Sequence, residues 1–81
     1  MDKQQIEKKL REIIVARVAG LTAEKISADV ELATLGIDSL AFSWILADME
    51  DAFDFVMRGS DVMRIRTLSA AVDYVSERTT G

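Results

Sequence analysis

The sequence contains no cysteine and no histidine. Without cysteine there can be no disulfide and no thiolate metal site. Without histidine the commonest general base and the commonest nitrogen ligand are missing as well. Any metal would have to be held by carboxylates alone, and they show no calcium-loop spacing, so no metal is expected. Long apolar runs are also missing. No segment approaches the roughly 20 apolar residues that span a bilayer, which argues against membrane insertion. The opening residues, Met1-Asp2-Lys3-Gln4-Gln5, are polar and lack an apolar signal core. These absences point to a cytoplasmic location.

Positive charge is absent from a long central interval. No lysine or arginine occurs between Lys25 and Arg58, whereas Asp29, Glu31, Asp38, Asp48, Glu50, Asp51 and Asp54 all fall there. A one-sign acidic field of this kind attracts basic partners and raises their on-rates. It argues against nucleic acid, whose phosphates need clustered Lys and Arg. The plainer alternative is a solvated acidic surface that aids solubility.

What remains is an 81-residue chain, 49% hydrophobic and 30% charged, with a net charge of −4. That balance suits one small folded unit with a modest core. The apolar periodicity predicts four helices. The first runs from about Lys3 to Val18, with Asp2 and Gln5 spaced as a capping box and Ile6, Leu10, Ile13, Ile14 and Val18 as its buried stripe. Its Lys3, Lys8, Lys9, Arg11 and Arg17 are mixed with Glu7 and Glu12, and no aromatic anchors them, so this reads as a solvated face. Gly20 is a plausible stop. Leu21 to Ile37 is a long connection, with a short helical turn near Ala23–Ile26 and Leu21, Ile26, Leu32 and Leu35 pinning it to the core. Loops of this length are often functional. The second helix follows, to about Phe53, with Phe42, Ile45, Leu46, Met49 and Phe53 on its buried stripe. Ser60 is the expected cap of a short third helix over Asp61 to about Ile65, with Phe55 and Met57 leading in and Val62 and Ile65 as its apolar contacts. Thr67 is expected to cap a last helix carrying Leu68, Ala71, Val72 and Val75, with Arg78-Thr79-Thr80-Gly81 frayed.

The second helix opens on the stretch with the most to say about function, Leu35-Gly36-Ile37-Asp38-Ser39-Leu40. Gly36 frees the backbone for a tight turn, Asp38 is a good N-cap, and Ser39 then lies in the first helical turn. Helix N-termini favour a phosphate group. Yet the chain offers Ser39 no histidine base, and a hydroxyl without a base or metal is a weak nucleophile. Ser39 therefore reads as a residue that is modified, not one that catalyses.

Leu35-Gly36-Ile37-Asp38-Ser39-Leu40, followed by an apolar stripe ending in Glu50-Asp51-Ala52-Phe53-Asp54, resembles the acyl carrier protein family. Thr67-Leu68 and Val72-Asp73-Tyr74-Val75 are similar to that family's last helix, so the resemblance covers nearly the whole chain. It implies an all-α, small four-helix bundle of the acyl-carrier type. Three helices are longer, the third is short, and a long loop joins helices one and two. It implies one carrier domain over residues 1–81, not an enzyme. It also implies 4'-phosphopantetheine, donated by coenzyme A and joined to Ser39 in phosphodiester linkage by a phosphopantetheinyl transferase that recognises Asp38 and Leu40. The arm supplies the thiol that carries cargo as a thioester. The remaining partners implied are acyl-loading and acyl-processing enzymes with basic docking patches, met by a monomeric carrier. Leu40, Ala41, Trp44, Asp48, Glu50, Asp51, Asp61 and Val62 are the candidate partner face. Leu46, Met49, Phe55, Val62 and Ile65 are either simple core or a region that opens for an acyl chain.

Two features depart from the usual family pattern. Where acids often follow the serine, this chain has Ala41, Phe42, Ser43 and Trp44. On a helical wheel Trp44 falls opposite the buried stripe, beside Leu40, Asp48 and Asp51. It either packs on a neighbouring loop or stands exposed with Leu40 as a partner anchor. Around the third helix Arg58, Arg64 and Arg66 surround a lone Asp61. That favours a specialised carrier, of the polyketide, modified-lipid or nodulation-factor type, over the general fatty-acid carrier. An aminoacyl or peptidyl carrier remains open, as does a helical interaction module without a prosthetic group. A small enzyme using Ser39 or the Asp48–Asp51 pair is disfavoured by the missing histidine.

Overall fold

The computed structural model describes residues 2–79. Three α-helices, α1 (Lys3–Arg17), α2 (Ser39–Phe53) and α3 (Leu68–Thr79), are joined by segments containing short 3₁₀ helices at Ala23–Lys25, Leu32–Leu35 and Gly59–Arg64. Counting Gly59–Arg64 as the short third helix, this is the expected small all-α bundle of the acyl-carrier type, with no strand among the described residues.

α1 begins as the sequence predicts. The Asp2 carboxylate accepts from the Gln5 amide at 2.8 Å, and the Gln5 side chain accepts from the Asp2 amide at 2.9 Å. The helix ends at Arg17, with Val18 already extended and Gly20 left-handed at φ +79°. Ile6, Leu10, Ile13 and Ile14 are buried, and Val18 packs at the edge of the core. α1 is the spine of the bundle: α2 and α3 each pack mainly against it. α2 contributes Ile45, Met49 and Phe53, while α3 contributes Leu68, Ala71, Val72, Tyr74 and Val75.

The long connection is more structured than its sequence suggests. Its helical turn near residue 23 is present, but a second, at Leu32–Leu35, is an addition. Ile26 and Leu32 are buried, and Leu21 and Leu35 pack against the core, as expected. Backbone bonds then tie the loop to the start of α3. The Leu32 amide donates to the Arg66 carbonyl at 2.9 Å, the Ser69 amide donates to the Ala28 carbonyl at 2.8 Å, and Glu31 and Thr67 form an antiparallel bridge. Hydrophobic periodicity could not reveal these ties, because they involve main-chain atoms only.

The short third helix differs from the sequence expectation. It spans Gly59–Arg64 as 3₁₀, and Ser60 lies inside it instead of capping it. Arg58 is the cap residue, and its amide donates to the Asp61 carboxylate at 3.3 Å. Asp61 is the hub that fastens this helix to α3. It also accepts from the Tyr74 hydroxyl at 2.8 Å and from Arg78 at 3.4 Å. Arg78 donates to the Val56 carbonyl at 2.9 Å, so it is an anchored residue and not part of a frayed end; Thr80 and Gly81 lie outside the described residues. Tyr74 is absent from the expected stripe because it does not fall on the i, i+3, i+4, i+7 positions counted from Leu68. Its ring is buried among apolar neighbours, and its hydroxyl is satisfied by Asp61. Thr67 caps α3 as expected, accepting from the Ala70 amide at 3.0 Å.

Two outcomes are expected from this packing. Phe53→Ala should cost about 3–5 kcal/mol in denaturant unfolding, a large share of what a domain this small possesses. The second concerns acid. The Tyr74 hydrogen bond, aided by the Arg58 amide and the Arg78 charge, holds the Asp61 carboxyl below the usual range. The carboxylate therefore stabilises the fold above the ordinary carboxyl range, and that contribution is lost as pH falls through the depressed folded value. Tyr74→Phe should lower the melting temperature near neutrality, and its difference from wild type should shrink in acid. A difference that is constant with pH would remove Asp61 from this role.

Candidate functional site: the start of the second helix

Gly36 ends the Leu32–Leu35 turn in a left-handed conformation, φ +76°, which turns the chain towards α2. Ile37 packs against the core and fixes the approach. The Asp38 carboxylate then accepts from the Ala41 amide at 2.7 Å, and the Asp38 carbonyl accepts from the Phe42 amide at 2.9 Å. Ser39 is the first residue of α2 and is exposed. Its carbonyl is engaged, accepting from the Ser43 hydroxyl at 3.1 Å, but among the described residues nothing pairs with its own hydroxyl. The N–H groups of Ser39 and Leu40 belong to the first turn and have no intrahelical acceptor. A hydroxyl oxygen is thus presented at the positive end of a helix whose other face is buried.

Beside Ser39 lies a cleft of about 340 Å³ between the Leu32–Leu35 turn, the first turn of α2 and the Gly59–Arg64 helix. Leu32, Ile37, Phe42, Val62 and Ile65 give it an apolar lining, and Glu31, Asp38 and Arg66 supply its charged groups. Two of the residues considered for an opening core, Val62 and Ile65, line this cleft. Leu46, Met49 and Phe55 do not line it; Met49 is buried, and the other two pack against the core.

The candidate partner face is divided. Leu40 is 62% exposed and Trp44 50%, on one side of α2 with exposed Asp51 and half-buried Ala41. Trp44 stands exposed beside Leu40, as the second expectation has it, and does not pack on a loop; its covered half meets a helix. The Arg17 guanidinium, from the last turn of α1, lies 4.9 Å from its ring centroid. The same guanidinium grips Asp48 through two bonds, of 2.7 and 3.0 Å. Each partner's hydrogen bond raises the Arg17 pKa and lowers that of Asp48. The acidic interval is therefore not of one sign in space: Arg17 neutralises Asp48, and Arg66 approaches Glu31 at 3.5 Å. Glu50 is also occupied, accepting from the Met57 amide at 2.7 Å and so fastening the loop after α2. Asp61, expected on the same face, is turned inward to Tyr74 and Arg78. Sequence distance hid these pairs; Arg17 and Asp48 are 31 positions apart.

A family model described as "Phosphopantetheine attachment site" matches residues 8–75. An acyl carrier protein from Syntrophus aciditrophicus is 33% identical over 73 residues, covering 90% of this chain and 91% of that protein. One from Desulforapulum autotrophicum is 29% identical over 75 residues, covering 91% and 97%. The chain belongs to the acyl carrier protein family. Members of that family carry and do not catalyse, and 4'-phosphopantetheine is their prosthetic group. Carriers also occur inside synthases. The non-reducing polyketide synthase dbaI of Emericella nidulans matches at 32% over 80 residues, 99% of this carrier but 3% of the synthase. The site geometry suits the group, because an exposed, unpaired hydroxyl at a helix N-terminus can accept a phosphate and the neighbouring cleft can shelter an apolar chain. No helix among the described residues is long and apolar enough to cross a membrane.

The lone tryptophan makes the Arg17 contact measurable. Arg17→Gln should uncover the ring and move Trp44 fluorescence to longer wavelength, and Asp48→Asn should move it in the same direction by freeing Arg17. Combined, the two changes should shift the emission by less than the sum of the single effects, because they break one shared cluster. Unchanged emission in Arg17→Gln would separate the ring from the guanidinium.

Proposed function

We propose that residues 1–81 act as a single carrier domain whose Ser39 hydroxyl is the attachment point for 4'-phosphopantetheine. The observation that carries this reading is the exposed, unpaired Ser39 hydroxyl, held at the start of α2 by the Asp38 cap in a chain of this family. With no histidine in the sequence, the base that takes the Ser39 proton comes from another protein, a phosphopantetheinyl transferase. Ser39 Oγ then attacks the pantetheine-bearing phosphorus of coenzyme A, the pyrophosphate P–O bond breaks, and adenosine 3',5'-bisphosphate leaves as the phosphodiester to Ser39 forms. Asp38 fixes the helix start, and exposed Leu40 gives the transferase an apolar contact beside it. The arm supplies a terminal thiol that holds an acyl group as a thioester. The apolar cleft beside Ser39 excludes water from part of that chain. Fatty-acid, polyketide and modified-lipid enzymes are the pathway partners, acting on a monomeric carrier in the cytoplasm.

The docking face consists of Leu40, Ala41, Trp44 and Asp51, with Val62 at the cleft. Asp51 steers basic patches during encounter, whereas Leu40 and Trp44 supply desolvated contact afterwards. Asp48 contributes less to steering than its sequence position suggests, because Arg17 already holds it.

Ser39→Ala should leave the thermal melt nearly unchanged and abolish the mass gained with transferase and coenzyme A. A Ser39→Ala protein that still gains the arm would overturn the assignment. Asp51→Lys should slow association with a basic partner and weaken its salt dependence, whereas Trp44→Ala should mainly speed dissociation, by about 1–3 kcal/mol. Surface-bound kinetics on both variants separate the two effects.

A further inference from the structure

Arg66 is the one cation lining the cleft beside Ser39 among the described residues. Its backbone is fixed, since its carbonyl accepts from the Leu32 amide at 2.9 Å and its neighbour Thr67 bridges Glu31. Its side chain is loosely held. The Arg66–Glu31 contact is 3.5 Å, with the two side chains 73% and 56% exposed. By contrast, Arg17–Asp48, Arg11–Glu7 and Arg64–Glu77 close to 2.6–2.7 Å. An exposed pair at that distance is worth little and gives way readily to a better acceptor. A guanidinium matches the oxygens of phosphate and carboxylate, to which it can donate two parallel hydrogen bonds.

Resting on the reading of Ser39 as the attachment point, we propose that Arg66 is the anion-binding residue of this cleft. It leaves Glu31 to engage an anionic oxygen of the group that Ser39 carries. Two sources offer that chemistry: the phosphodiester next to Ser39, and a carboxylate at the end of a dicarboxylic acyl cargo. Glu31 acts as the competitor that keeps Arg66 beside the cleft while Ser39 is bare. Arg66 is thus a positioning residue that favours acidic over neutral occupants, on an otherwise apolar lining.

The test compares the unmodified protein, the arm-bearing protein, and the arm-bearing protein loaded with butyryl or with succinyl. Mass spectrometry first establishes the arm; if the wild type gains none at Ser39, the reading of Ser39 fails and this inference falls with it. The Arg66 Nε–Hε resonance, identified by its loss in Arg66→Gln, is then followed through the series together with the melting temperature. A move of that resonance on arm attachment, with a rise in melting temperature that Arg66→Gln abolishes and Glu31→Gln enlarges, assigns the phosphodiester. A move and a rise confined to the succinyl form, absent with butyryl, assign the cargo carboxylate. An arm attached with no Arg66-dependent change in any form overturns the inference and leaves the Ser39 assignment standing.

Discussion

Burial of one face of α1 is the constraint from which the rest of this structure follows. Ile6, Leu10, Ile13 and Ile14 give α2 and α3 a common surface, and each packs mainly on that spine. An 81-residue chain buries too little surface to spread its core among independent contacts, so one shared helix face must organise both neighbours. The consequence for the site is direct. α2 is held by Ile45, Met49 and Phe53, with Ile37 and Phe42 packing on the core at its start, so only the Ser39–Leu40 side of the first turn projects. Ser39 stands exposed between Ile37 and Phe42, at a helix start whose other face is anchored.

Polar fastening completes what the small core begins. Asp61 joins the short Gly59–Arg64 helix to Tyr74 and Arg78, Glu50 closes the end of α2 on the Met57 amide, and Arg17 joins the end of α1 to Asp48 and Trp44. Asp61, Glu50 and Arg17 are all charged, and in the sequence they read as surface decoration. In the fold each spans a junction between elements. The surface available to partners is correspondingly smaller than the count of acids suggests. Asp51 and the Leu40–Trp44 pair remain outward, whereas Asp48, Glu50 and Asp61 hold internal partners.

The helices were legible because their apolar positions repeat at helical spacing and their caps are local. Asp2 with Gln5, Asp38 ahead of Ser39, and Thr67 ahead of Leu68 all act within three residues of where they stand. The start of α2 was legible for the same reason. The misses share the opposite property. Tyr74 is buried in the core with its hydroxyl satisfied by Asp61, 13 positions away. The Gly59–Arg64 helix starts at Arg58 because Asp61 reaches back to that amide while also serving α3. Trp44 lies on the side of its helix that the wheel predicts, but its partner Arg17 comes from another element. Spacing along a chain carries no information about which distant charge will close a junction.

The ties between the long loop and the start of α3 use backbone atoms: Leu32 to Arg66, Ser69 to Ala28, and the bridge of Glu31 with Thr67. Main-chain bonds are indifferent to the side chains they carry. Exposed loop positions such as Asp29 and Ala33 can therefore drift during descent while the path into Gly36 and Asp38 stays put. A lineage of such chains can revise the surface around the serine, and with it the enzymes it meets, without disturbing the serine's own placement.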